Sequence, residues 1–90
     1  MNIEKVWSNI LAHEGEVFET ASGLEFTYVV INEYTIRPYR DGETRWPLSK
    51  NLFEKALKFS REEYSSKEFN NKIIGSSYVR GLLTDKRIVG

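Results

Sequence analysis

The chain has 90 residues, a net charge of zero, 40% apolar and 29% charged residues, and no cysteine. That length predicts one domain, residues 1–90, and the balance is that of a globular chain with one modest core rather than a disordered one. Without cysteine there are no disulfides or thiolate metal sites, and no apolar run approaches the roughly 20 residues a membrane helix needs, so no membrane contact is expected. The start, Met1-Asn2-Ile3-Glu4-Lys5, lacks the basic flank and apolar stretch of a signal peptide, so a cytoplasmic location is expected.

The first segment is predicted as a helix over residues 3–13. Ile3, Val6, Trp7, Ile10 and Leu11 fall on one stripe, Asn2 can cap the start, and Gly15 stops it. Strand character follows from about residue 16. Glu16 to Thr20 reads as a short strand, and Ser22-Gly23 as a turn. Leu24 to Ile31 alternates, with Leu24, Phe26, Tyr28 and Val30 on one face. The other face, Glu25, Thr27, Val29 and Ile31, turns apolar at its end, which predicts that this part is covered too.

Asn32-Glu33 makes a turn, and Tyr34 to Tyr39 is the next strand. Tyr34, Ile36 and Pro38 face one way, and Thr35, Arg37 and Tyr39 the other. Pro38 has no amide proton for a ladder, which predicts an edge strand or a strand end. Asp41-Gly42 suits a two-residue hairpin, and Glu43 to Trp46 reads as a short returning strand. Pro47 disfavours helix at Trp46. Ser49 then caps a second helix, predicted over 49–60, with Leu48 stapled on Phe53.

Residues 60–72 are polar and irregular and read as a loop or a frayed turn. A third helix is predicted over 76–85, with Tyr78, Val79, Leu82 and Leu83 at helical spacing and Lys86 and Arg87 at its C-terminal end. The fold class is therefore α+β: a small two-layer domain, an antiparallel three- to four-stranded sheet with three helices, in the order α-β-β-β-(β)-α-α. Trp7, Ile10, Phe26, Tyr28, Ile36, Phe53, Leu57, Val79 and Leu82 are the expected core.

Catalytic and metal chemistry find little support. The one histidine, His13, sits at a helix end, where a surface or C-cap role is ordinary. No serine stands in a nucleophile context. Glu16, Glu19 and Glu25 lie on neighbouring strands, which reads as a solvated face. Gly75-Ser76-Ser77 offers free amides at a helix start, but the same residues are good caps. No enzyme activity, cofactor or metal is expected.

Charge is uneven along the chain. Residues 1–35 carry one cation and six anions, giving −5, and residues 36–90 carry twelve cations and seven anions, giving +5. Either the two halves attract each other, or the imbalance is chance, or the basic half meets an anionic partner. The candidate binding residues cluster around the hairpin: Arg37, Tyr39, Arg40, Arg45 and Trp46, extended by Lys50 and Arg80. Arginine forks fit phosphate oxygens, and an exposed aromatic stacks on a base. Tyr, Trp and Arg are also the residues enriched at protein-binding hot spots. The first reading is a small non-enzymatic interaction module that binds a protein or associates with itself. The alternative is a nucleic-acid-binding domain using the hairpin 35–50.

Overall fold

A computed structural model describes residues 2–90. It is an α+β fold in which a five-stranded antiparallel sheet packs on helices. The elements are α1 (Ile3–Ala12), β1 (Phe18–Glu19), β2 (Glu25–Asn32), β3 (Thr35–Arg40), β4 (Glu43–Thr44), β5 (Leu48–Ser49), α2 (Lys50–Ala56), α3 (Lys67–Lys72), α4 (Ser76–Leu83) and α5 (Lys86–Val89). The strands are ordered β1-β2-β3-β4, and β5 also pairs with β3.

The inner face of the sheet, Phe18, Phe26, Tyr28, Ile36, Pro38 and Leu48, is buried. Its apolar side chains join Val6, Trp7 and Ile10 of α1, Phe53 and Ala56 of α2, and Val79, Leu82 and Leu83 of α4 in one cluster. Two polar anchors sit at this interface. The Tyr28 hydroxyl donates to the Ile10 carbonyl at 2.6 Å, and the Trp7 indole N–H donates to the Glu33 carbonyl at 2.7 Å. Burial holds the Tyr28 phenol well above its ordinary pKa, so it stays a donor.

The helix starts follow from local capping. The Asn2 side chain accepts from the Glu4 N–H at 2.7 Å, and Ser49 from the Leu52 N–H at 3.2 Å. The second helix is shorter than expected and ends at Ala56, which leaves Leu57 half-buried. Residues 60–72 are more ordered than the loop or frayed turn expected. They form a 3-10 turn, Arg61–Ser65, and then α3. The Ser60 N–H donates to the Glu63 carboxylate at 2.7 Å, and Ser66 caps α3 through the Phe69 N–H at 3.1 Å. This segment buries Tyr64 and Phe69, whose rings lie 4.9 Å apart.

The third helix stops at Leu83, and Asp85 caps a separate α5. Lys86 and Arg87 thus begin a helix rather than end one. Ile88 of α5 is fully buried, and its carbonyl accepts from the Asn9 side chain at 2.8 Å. The strands are also trimmed, to Phe18–Glu19 and Glu43–Thr44, and Tyr34 lies in the turn before β3, 61% exposed.

Pro38 does not mark an edge strand. β3 is internal, with β2 on one side and β4 and β5 on the other. In an antiparallel strand a residue's N–H and C=O point to the same side. The Pro38 carbonyl accepts from the Arg45 N–H at 2.8 Å, so its missing donor also faces β4. The proline therefore breaks only that ladder. β4 pairs with Tyr39 and Arg40, β5 pairs with Thr35 and Ile36, and residues 45–47 bridge the gap.

Candidate functional site: the outer sheet face and the Arg45–Pro47 bulge

The register Thr27↔Tyr39 and Val29↔Arg37 puts these four residues together on the outer face. The expectation that this face is covered near Val29 and Ile31 is overturned, because the helices all pack on the other side. Val29 is 45% exposed, Ile31 47% and Tyr39 40%. Ile31 sits at a bulge in β2, where the pairing shifts between Val30 and Asn32. The signal in the sequence was the unbroken run Val29-Val30-Ile31, in which only Val30 points inward.

A second irregularity shapes the edge. Thr44 pairs with Tyr39, and Leu48 with Ile36. Three residues, Arg45, Trp46 and Pro47, therefore span the distance covered by two, Arg37 and Pro38. An extra residue on one strand bends it and re-aims a side chain. Trp46 is accordingly 77% exposed. Trp46 thus lies in solvent rather than packed under the hairpin.

The three hairpin arginines are half-buried. Strand alternation sets Arg37 on the outer face, and Arg40, in register with Glu43, on the inner side. Arg40 Nε lies 3.6 Å from an Asp41 carboxylate oxygen. Arg37 and Arg45 form no ion pair among the described residues. The Nε atoms of Arg37, Arg40 and Arg45, and the Thr27 hydroxyl, are buried without a hydrogen-bond partner among the described residues. Buried donors without acceptors are uncommon in folded chains.

Lys50 and Arg80 are not part of this cluster. The Lys50 ammonium binds Glu4 at 2.6 Å, and the Lys50 backbone N–H donates to the Tyr34 carbonyl, at the end of β3 away from the Asp41-Gly42 turn. Arg80 lines a shallow groove of about 550 Å³ with Glu19, Glu25 and Thr84, beside β1 at the far edge of the sheet.

Among the described residues, two ion pairs join the acidic and basic halves, Lys50–Glu4 and Arg87–Glu16. Arg87 also binds Asp85 at 2.9 Å, donates to the Val17 carbonyl at 2.8 Å and lies 3.8 Å above the Phe18 ring. Hydrogen bonds from Arg87 hold the Asp85 carboxyl below its ordinary pKa. His13 caps α1 and bonds Glu16 at 2.7 Å, and that bond is the main reason the Glu16 carboxyl is also lowered. Among the described residues, no three of His, Cys, Asp or Glu gather to hold a metal ion, and no helix is long and apolar enough to cross a membrane. No family model, curated protein or solved structure matches this chain.

Proposed function

We propose that the chain is a small, cytoplasmic, non-enzymatic interaction module that takes a protein partner, or a second copy of itself, on the outer face of its sheet. The observation that carries this is the exposure of Val29, Ile31 and Tyr39 on the face without helices, with Tyr39 diagonal to Val29 across the β2–β3 ladder. Burying exposed apolar surface is the main driving force of protein association. The sheet edges fit strand addition poorly. β1 is two residues long and covered by α4, and the β4–β5 edge is short and interrupted by Pro47. Contact through the face is therefore favoured over contact through an edge. The only histidine is engaged at a helix end, which supports a non-enzymatic role.

Sedimentation over a wide concentration range tests self-association, and a nuclease-treated pull-down tests a foreign partner. Val29→Asp with Tyr39→Asp is expected to abolish the association while leaving the circular dichroism unchanged. Because the contact is apolar, moderate salt is expected to change it little. A strict monomer that captures no protein removes this reading.

One observation favours a second reading, nucleic-acid binding by the hairpin. Among the described residues, Arg37 and Arg45 form no ion pair and their Nε atoms have no hydrogen-bond acceptor, whereas Arg40 faces Asp41. A phosphate oxygen is an acceptor that suits a guanidinium. Titration of labelled oligonucleotides at low salt tests it.

A further inference from the structure

We infer that the ligand of the Arg45–Pro47 bulge is single-stranded nucleic acid, with one base on the Trp46 ring and the flanking phosphates on Arg37 and Arg45. This rests on the nucleic-acid reading above and specifies its ligand.

The two tryptophans are treated oppositely by the fold. Trp7 is 4% exposed, lies 5.6 Å from the Phe53 ring, and donates its N–H to Glu33. Trp46 is 77% exposed, and no aromatic pair or hydrogen bond of its side chain is formed among the described residues. Its position follows from the extra residue that the bulge inserts opposite Arg37 and Pro38. An indole with an open face is a stacking platform for an unpaired base.

The tip of the hairpin argues against duplex as the ligand. A two-stranded ribbon can enter a major groove, which is about 12 Å wide. Here the β3–β4 ribbon has only two residue pairs, and its tip carries Asp41 and Glu43, both exposed. Carboxylates at the tip repel the phosphates they would pass. Asp41 also neutralises Arg40. The hairpin cations left without a carboxylate among the described residues, Arg45 within the bulge and Arg37 opposite it on β3, lie back from the tip. Base faces are hidden in a duplex and open in a single strand, so the stacking platform and the free cations select the single strand together.

The test is fluorescence anisotropy of labelled single-stranded and duplex oligonucleotides of mixed sequence at several salt concentrations, with circular dichroism as the check on folding. Single strands are expected to bind more tightly than duplex. Two phosphate contacts predict that log affinity falls with log salt by about 1.4. Trp46→Ala is expected to weaken the single strand about 5- to 100-fold, with Trp46→Phe restoring most of the loss. Arg37→Gln with Arg45→Gln is expected to remove most of the salt slope. If duplex binds as tightly and Trp46→Ala changes neither ligand, the single-strand assignment is overturned while the nucleic-acid reading stands. If no oligonucleotide binds at about 100 μM protein, the nucleic-acid reading itself fails. A protein capture that survives nuclease and requires Trp46 also overturns it.

Discussion

Gly81 of α4 lies directly against the backbone of Glu19 in β1, so that a Cβ at residue 81 would collide with the Glu19 carbonyl. This approach is how α4 covers the short edge strand. Helix propensity alone predicts that Gly81→Ala stabilises by about 1 kcal/mol. The collision with backbone, which cannot swing away as a side chain does, predicts a net loss of about 1–3 kcal/mol. Urea unfolding distinguishes the two by sign, and a stabilised mutant contradicts the packing of α4 on β1.

Trp7→Ala removes a buried ring packed on Phe53 and leaves the Glu33 carbonyl without its donor. The expected cost is about 3–5 kcal/mol. Against a total stability of roughly 5–10 kcal/mol, this leaves a marginal fold. Trp7→Phe keeps most of the apolar contact and is expected to lose only about 1–2 kcal/mol. Melting temperatures of the two variants check the ranking.

Phe69→Ala distinguishes a packed helix from a loop in the polar segment. Phe69 is fully buried, with Phe59 at 5.2 Å and Tyr64 at 4.9 Å between ring centroids. The expected cost is about 3–5 kcal/mol, whereas a residue in a solvated loop would change stability by no more than about 0.5 kcal/mol. Chemical denaturation of this one variant decides between them.

Acid should loosen the C-terminal helix. The Asp85 and Glu16 carboxyls titrate below their ordinary range in the folded chain, Asp85 because of Arg87 and Glu16 chiefly because of His13. A lowered folded pKa adds stability above the unfolded value, and that stability is lost as pH falls through the folded one. Stability is therefore expected to drop below about pH 4–5. Asp85→Asn keeps a capping oxygen but removes the charge facing Arg87. It is expected to be less stable than the wild type at neutral pH and equal to it near pH 2, as read from denaturation midpoints across that range. Parallel pH curves for the two proteins would show that the charge at Asp85 contributes nothing.

Periodicity and capping determined the class of this fold before any tertiary contact was considered. The stripe from Ile3 to Leu11, the alternation of Phe26 and Tyr28, the Asp41-Gly42 turn and the Ser49 cap are local signals, and each stands where the sequence put it. The two short capped turns around Tyr64 and Phe69 read only as a loop or frayed turn, because helices of one or two turns carry too few residues to show a period. Which face of the sheet stays open was decided by tertiary packing. The run Val29-Val30-Ile31 is apolar on both sides, and only the placement of every helix on the Tyr28 side leaves Val29 and Ile31 in solvent. The exposure of Trp46 was likewise a tertiary decision. It depends on β4 and β5 sharing one side of β3, where the missing Pro38 donor breaks the ladder and three residues cross a two-residue gap. Distance along the chain groups Lys50 and Arg80 with neither Glu4 nor Glu19. Folding does, because ion pairs and grooves form between segments that the sequence holds far apart.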